Sequence, residues 1–164
     1  RLKPAMAVSR SSTTLTCPSR ARATSSYPSL TTIRSIRHSA FVSAGGAGAG
    51  DGEGWNDISE LAATLNAALG STRPAVDEGW TELETMIGQS GKMVSPEVYI
   101  GVGLSGEQQH MVGIAGARVM VAINSDAKSP IFEQVDYGIV DDCREFLPVL
   151  IQKIKEYQEK KVTC

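Results

Sequence analysis

Short apolar runs alternate with amphipathic stretches through most of the chain, and this alternation predicts an α/β fold. Residues 98–104 form a compact run that is typical of a strand buried on both faces. Residues 119–123 and 137–140 repeat the pattern as buried strands, and residues 40–43 predict a shorter strand ahead of a glycine-rich turn or linker. Strands separated by helices predict a three-layer Rossmann-like parallel sheet with helices on both faces.

Amphipathic spacing predicts the helices. Ile58, Leu61, Leu65 and Leu69 recur at intervals of three and four, and Gly70 is a natural terminator, so we predict a helix over residues 57–70. Residues 108–114 predict a second helix. Between residues 71 and 93 the periodicity is lost, which indicates loops around one short helix near residues 75–79.

A last helix is predicted towards the C-terminal end. One face carries Phe146, Leu150, Ile154 and Tyr157, with lysines and glutamates opposite. Pro148 leaves the start of this helix open, because proline removes a hydrogen bond from a helix interior.

Charge is distributed unevenly along the chain. The first 50 residues contain seven arginines and lysines and no aspartate or glutamate. A basic, acid-poor and serine-rich composition is typical of an organelle-targeting segment. We predict a disordered, mitochondrial transit-like segment over residues 1–40, a folded domain over residues 41–164 and a location in the mitochondrial matrix. A basic tail kept in the mature protein and a plastid leader are the alternatives.

Composition argues against several classes of function. The formal net charge of -2 does not suit a general nucleic-acid binder, which needs a surplus of lysine and arginine. The apolar runs are shorter than the roughly 20 residues that cross a bilayer, so no membrane span is predicted. The three cysteines are scattered, which argues against a disulfide framework or a zinc site.

Residues 101–106 read Gly-Val-Gly-Leu-Ser-Gly and satisfy the G-x-G-x-x-G pattern of dinucleotide-binding turns. The pattern follows a predicted strand and opens a predicted helix, where glycines permit a tight turn and free N–H groups stabilise a pyrophosphate. Asn124 and Asp126 end the next strand about 20 residues on, where a polar side chain usually meets a ribose. These features predict nucleotide or dinucleotide binding; a turn kept only for packing is the alternative.

Other chemistries find no support in the sequence. Residues 88–92 end like a P-loop but lack its first glycine, and Met93 stands where a magnesium-binding serine or threonine belongs. His110 is the only histidine in the predicted domain, and no arrangement of nucleophile and base can be assigned. Phosphotransfer and hydrolysis are therefore not predicted.

Several segments occur in an order known from one family. They lie at residues 70–77, 88–92, 96–100, 105–110, 121–124, 130–132 and 136–140. Over about residues 41–157 the chain resembles the C-terminal FAD-binding domain of the electron transfer flavoprotein α subunit, without the N-terminal domain of that family. A fixed order of several motifs is more specific than any one of them.

The resemblance implies bound FAD and a β-type partner subunit. It implies that Arg73 lies against the flavin ring, where a fixed cation favours the electron density of a reduced flavin. Ser90 would approach flavin N5, with Gln89 as its loop neighbour, and His110 would address the flavin C2 carbonyl. The complete set of implied cofactor-binding residues is Thr72, Arg73, Gly88, Gln89, Ser90, Ser105, Gly106, Gln109, His110, Asn124 and Asp142. No catalytic residue or metal ligand is implied.

The function implied by the resemblance is that of an electron carrier rather than an enzyme with its own substrate. Such a subunit accepts electrons from mitochondrial dehydrogenases, as in fatty acid β-oxidation, and passes them to the respiratory chain. The alternative is a non-catalytic FAD- or nucleotide-binding accessory subunit of a larger mitochondrial respiratory assembly. Two departures favour that alternative: Ala47 stands where the family has an arginine near the flavin, and the N-terminal domain of the family is missing. Glu107 also places an anion in the phosphate-side loop, which implies a lower affinity for FAD.

Overall fold

The computed structural model describes residues 36–162, and within them five parallel strands form one sheet. The strands are β1 (Phe41–Gly45), β2 (Ala68–Ser71), β3 (Val98–Val102), β4 (Val119–Asn124) and β5 (Tyr137–Val140). Their order across the sheet is β2-β1-β3-β4-β5. In the centre, Val42 lies opposite Ala68 on one side and Tyr99 on the other. The predicted α/β class with a parallel sheet is confirmed.

Helices and short turns cover the two faces of the sheet. The helices are α1 (Gly52–Thr64), α2 (Arg73–Asp77), α3 (Gln108–Met111) and α4 (Cys143–Val162). On one face, α1 and α4 bury Ile58 and Leu147 against Val102 of β3. On the other face, Met111 of α3 packs with Tyr99 of β3. Neighbouring strand residues contribute to opposite faces, which gives the predicted three layers.

Residues just ahead of the boundary predicted at residue 41 pack with the domain. Residues 1–35 lie outside the described residues, so the transit-like segment stays a prediction there. A 3-10 turn, Ile36–His38, precedes β1. Ile36 is 4% exposed and belongs to the same core as Val42 and Ala68. Residues 36–40 are therefore part of the domain.

The helix predicted over residues 57–70 exists as α1, but it starts earlier. The Asp51 carboxylate accepts hydrogen bonds from the N–H groups of Glu53 and Gly54, at 3.1 and 3.0 Å. This is an N-cap, which satisfies N–H groups that have no partner in the first turn.

The same helix also ends earlier than predicted. Asn66 adopts a left-handed φ of 51°, and the Ala67 N–H donates to the Ala62 carbonyl at 2.8 Å, as in a Schellman termination. Leu69 and Gly70 therefore lie in β2 rather than in a helix, and the prediction for residues 65–70 is wrong. Leu65 and Leu69 have helical spacing in the sequence, but the left-handed conformation of Asn66 ends the helix between them.

The last predicted helix is confirmed as α4, with Pro148 inside it. Its buried residues are Cys143, Leu147 and Ile151, flanked by half-buried Phe146, Leu150 and Ile154. Tyr157 is 69% exposed, so the part of this face that packs against the domain ends before Tyr157. Polar contacts join the later part of α4 to α1: the Lys155 ammonium lies 2.8 Å from the Glu60 carboxylate, and the Gln158 amide donates to the Thr64 carbonyl at 3.0 Å.

The strand predicted at residues 137–140 is confirmed as β5, but it is not buried. It lies at the edge of the sheet, and Tyr137 and Val140 are more than half exposed. An apolar run of four residues is compatible with either an edge or a central strand, because local pattern does not report on neighbours.

Candidate functional site

The order of strands reverses between β1 and β3, because the chain leaves β1 to one side for β2 and returns to the other side for β3. In open parallel sheets, ligands bind outside the carboxyl ends of the strands at such a reversal. A cleft of about 630 Å³ lies at this place, lined by the segments that follow β1, β2, β3 and β4. The fold therefore presents its candidate site at the expected edge.

Two glycine turns meet at the centre of the cleft. The Gly46 N–H donates to the Val102 carbonyl and the Gly48 N–H donates to the Gly103 carbonyl, both at 3.0 Å. Gly103 has a φ of 62°, and a Cβ at that position would lie 2.5 Å from the carbonyl carbon of Gly48. The close approach requires glycine. It leaves a stretch of cleft wall made of main chain, which lets a ligand approach the backbone.

The segment after β2 contributes a hydroxyl and a cation. The Thr72 N–H donates to the Gly45 carbonyl at 3.0 Å, which ties the segment to the end of β1. The Thr72 hydroxyl oxygen is buried without a hydrogen-bond partner in the protein, an arrangement that is costly unless a ligand or water satisfies it. Arg73 is 68% exposed, and its Nε lies 3.5 Å from an Asp77 carboxylate oxygen.

A tight loop from Gly88 to Gly91 closes another side of the cleft. It is attached to β2 because the Ile87 N–H donates to the Ser71 carbonyl at 2.9 Å, and to α3 because the Gln89 N–H donates to the Gln109 carbonyl at 2.8 Å. The side chains of Gln89 and Ser90 stay exposed, and both residues line the cleft.

His110 lies behind this loop and is 7% exposed. Its Nδ1 is 3.1 Å from the Ile87 carbonyl oxygen, and its Nε2 is 2.6 Å from the hydroxyl of Tyr99. Burial lowers the pKa of His110 to about 4, so the imidazole is neutral at physiological pH. Both ring nitrogens have protein partners, so an N–H of His110 reaches a flavin carbonyl only after one partner is exchanged.

The segment from Leu104 to Glu107 is held in place by Asn124. The Asn124 amide donates to the Leu104 carbonyl at 2.7 Å and to the Ser129 hydroxyl at 3.2 Å, while its oxygen accepts from the Asp126 N–H at 2.9 Å. Asn124 thus lines the cleft and also braces its wall. The polar residues predicted at the end of β4 owe their position to this network.

The glycine motif at residues 101–106 spans the end of β3 and the turn that follows it. Gly101 lies within β3, and α3 begins at Gln108, two residues after the last glycine. The helix predicted from residue 108 is present, and Gly106, with a φ of 85°, and Glu107 form the turn that leads into it. At this place the cleft is lined by the turn and not by a helix terminus.

The structure brings all but one of the predicted cofactor-binding residues to the cleft. The exception is Asp142, which lies at an adjoining cavity of about 100 Å³ that shares Gly48, Gly103 and Asn124 with the cleft. The Asp142 carboxylate also accepts from the Arg144 N–H at 2.9 Å, in the first turn of α4. Their contacts with a cofactor stay predictions.

Sequence reasoning missed two contributors. Ser129 lines the cleft, and its hydroxyl donates to the Ser105 carbonyl at 3.2 Å. Tyr99 supports His110 from inside the core. Neither residue carries a local signal, because each acts through a partner far away in the chain.

The charges at the cleft are mixed. Arg73 supplies a cation, while Glu107 and Asp126 supply anions. Over residues 36–162, acidic, histidine and cysteine side chains form no group of three that could hold a metal ion. The same part of the chain contains no helix that is long and apolar enough to span a membrane.

Comparisons with known proteins agree with this architecture. A family profile described as "Electron transfer flavoprotein FAD-binding domain" matches residues 35–115. An electron transfer flavoprotein subunit alpha from Paracoccus denitrificans is 43% identical over 132 residues, which cover 80% of this chain and 41% of the relative. The mitochondrial subunit of Dictyostelium discoideum is 42% identical over 132 residues, covering 80% and 36%.

A bacterial relative from Thermoanaerobacterium thermosaccharolyticum is 40% identical over 124 residues, covering 76% of this chain and 38% of the relative. The chain therefore spans between 36% and 41% of the length of these three relatives. The chain belongs to the electron transfer flavoprotein α-subunit family, and the region that it shares with its relatives includes the domain which that profile describes.

Proposed function

We propose that the chain binds FAD in the cleft and acts as the FAD-binding electron-carrier subunit of a mitochondrial electron transfer flavoprotein. The observation that carries the proposal is the convergence of the predicted cofactor-binding residues, except Asp142, on one cleft at the strand reversal. These residues come from four separate segments of the chain. Their meeting in one place is what a site for an extended ligand requires.

The chemistry of the cleft wall fits a dinucleotide. The glycine turns after β1 and β3 offer backbone at close range, as the binding of a pyrophosphate requires. The buried Thr72 hydroxyl has no partner in the protein and offers a hydrogen bond to a bound group. The cavity volume of about 630 Å³ lies in the range of small-molecule and cofactor sites, roughly 300–1,000 Å³.

FAD, when bound, supplies the capacity to accept and release electrons. The residues of the chain bind and orient it. Arg73 places a cation at the rim, where it favours the added negative charge of a reduced ring. Ser90 offers a hydroxyl and Gln89 an amide from a loop whose backbone is anchored on two sides.

A β-type partner subunit completes the proposed site. Arg73, Gln89 and Ser90 are exposed at the rim, so this domain does not enclose a ring placed there. Leu83 and Met93 flank the loop in sequence and are more than 60% exposed. Exposed apolar side chains are typical of a surface that a partner covers when they group together. We propose dehydrogenases as donors and the mitochondrial matrix as location, by analogy with the mitochondrial relative.

The test is to purify the whole chain alone and together with a β-type subunit, and to record the visible spectrum before and after reduction. Flavin absorbance that appears and bleaches with the partner is the expected result. Stable association with a larger assembly, without any flavin signal, contradicts the carrier function and supports the accessory subunit.

Arg73→Ala tests the placement of the site. We expect weaker FAD binding and a lower flavin midpoint potential, because a reduced ring loses a nearby cation. Arg118→Ala is the matched control, since Arg118 is equally exposed, pairs with Glu97 at 2.7 Å and lies outside the cleft. Equal effects of the two substitutions would refute the proposed position of Arg73.

A further inference from the structure

Tyr99 is fully buried in β3, yet its hydroxyl reaches the wall of the cleft through His110. The phenol oxygen lies 2.6 Å from Nε2 of the imidazole, and both residues are in the protein interior. A buried tyrosine hydroxyl is normally hydrogen-bonded. Of the two groups, His110 lines the cleft and Tyr99 does not.

The partners of the imidazole assign its tautomer. The Ile87 carbonyl oxygen, 3.1 Å from Nδ1, can only accept, so Nδ1 carries the proton. In a neutral imidazole Nε2 is then an acceptor, and the Tyr99 hydroxyl donates to it. Each nitrogen has one partner, and neither N–H nor lone pair is left for the cleft.

This arrangement also joins the two walls that meet at His110. Ile87 directly precedes the loop from Gly88 to Gly91, and Gly88 packs so closely on α3 that a Cβ at this position would lie 2.6 Å from the Gln109 carbonyl oxygen. The imidazole is thereby held between the loop and β3. A rotation of the ring would break the hydrogen bond to Ile87, the one to Tyr99, or both.

We propose that Tyr99 is a positioning residue of the cleft, which acts through His110 and holds the imidazole with its proton on Nδ1 and no N–H directed at the ligand. The link to a flavin rests on the proposed function; the assignment of the tautomer does not. If His110 donates to a flavin carbonyl through Nε2, that nitrogen must carry a proton, and the Tyr99 hydroxyl can then no longer donate to it.

The tautomer is tested by NMR of the ¹⁵N-labelled whole chain without flavin. The sequence has only two histidines, His38 and His110, so His38→Gln leaves one imidazole to observe. We expect a neutral ring protonated on Nδ1 and a Tyr99 hydroxyl proton that exchanges slowly. In Tyr99→Phe, the Nε2 resonance should shift towards that of an acceptor without a hydrogen bond.

Tyr137→Phe is the matched control, because Tyr137 is 63% exposed at the edge of the sheet and has no contact with His110. A ring protonated on Nε2 in the unsubstituted chain overturns the proposal, as does an Nε2 resonance that Tyr99→Phe leaves unchanged. If Tyr99→Phe does not fold, the Tyr99 hydroxyl proton of the unsubstituted chain decides, and fast exchange of that proton overturns the proposal.

A second measurement addresses the ligand. In chain loaded with FAD, Tyr99→Phe should shift the flavin midpoint potential while Tyr137→Phe leaves it in place. An unchanged potential in both variants overturns the role of Tyr99 towards the flavin. If the unsubstituted chain takes up no FAD with or without a β-type subunit, the proposed function fails. The NMR test of Tyr99 is made without flavin, so its outcome does not depend on that result.

Discussion

Glu107 is an exposed anion at the wall of the cleft, next to the turn that is proposed to hold phosphate. We expect Glu107→Gln to tighten FAD binding about threefold, since an exposed charge interaction contributes about 0.2–1 kcal/mol. Isothermal titration at low and high salt measures the effect, which should shrink as salt screens the charges. Glu133→Gln removes an equally exposed anion outside the cleft and should change nothing. A tightening that persists at high salt would contradict an electrostatic cause.

Ala47 opens the 3-10 turn Ala47–Ala49 and is exposed at the cleft. Ala47→Arg restores the residue type that the family resemblance implies. We expect FAD to bind about tenfold more tightly, because a charge-assisted hydrogen bond to a phosphate or carbonyl contributes about 1.5–3 kcal/mol before the ordering of the side chain is subtracted. Ala63→Arg adds the same charge on the exposed face of α1 and serves as control. If both variants tighten binding equally, the gain comes from net charge alone.

His110 should make stability depend on pH. Its folded-state pKa of about 4 lies below the reference value of 6.5, so the unfolded chain takes up a proton that the folded chain excludes. The free energy of unfolding should therefore fall as pH drops from about 6.5 to about 4, by about 3 kcal/mol in total. Burial raises the pKa of the Tyr99 hydroxyl, which keeps its proton throughout.

Denaturant unfolding of the unsubstituted chain and of His110→Gln, followed from pH 7 to pH 4, measures this contribution. Carboxylates that titrate in the same range cancel in the difference between the two proteins. The difference should change with pH in the stated direction for His110→Gln. A flat difference for His110→Gln would mean that the imidazole is accessible to protons in the folded state.

At the scale of elements, the end of α1 depends on one backbone conformation. Asn66 is the only residue other than glycine with positive φ among residues 36–162. We expect Asn66→Ala to lower the free energy of unfolding by about 1 kcal/mol, because a Cβ disfavours the left-handed region and alanine lacks the local hydrogen bonding of asparagine. Asn66→Gly should restore stability.

Asn56→Ala, on the same helix, is expected to change stability in the opposite direction. Asn56 is exposed within α1, where alanine has the higher helix propensity, so this change should raise stability by a few tenths of a kcal/mol. Urea unfolding of the three variants distinguishes the two effects. Equal losses at positions 56 and 66 would argue that no special conformation ends the helix at Asn66.

The same turn explains where element prediction succeeded and failed. Long periodic segments predicted α1 and α4, because each buries one face against the sheet. β2 was missed because four residues, Ala68–Ser71, follow a single left-handed residue and continue the helical spacing of leucines. Strand pairing with β1 decides their conformation, and that contact is not local.

At the scale of the molecule, the sequence predicted the class of fold and the neighbourhood of the site. Parallel strands all end at one edge, so residues that follow separate strands meet there without any detailed knowledge of the fold. The order of strands was not predictable, since it depends on the side to which each connection crosses. The pairing of Tyr99 with His110 was hidden for the same reason, because their contact depends on how α3 docks on β3.

Ile36 gives the N-terminal side of the domain a defined limit. Its side chain fills the core beside Ala68 and Val42, so a protease that removes the basic segment and leaves the fold intact must stop before residue 36. Limited digestion of the whole chain, followed by mass spectrometry, should yield a resistant fragment that starts at or before Ile36. A fragment cut at residue 41 should lose about 2–4 kcal/mol, as expected for an emptied isoleucine site, and unfold at a lower temperature. Any proteolytic maturation that keeps the fold intact must therefore leave Ile36 in the chain, and not only the strand β1.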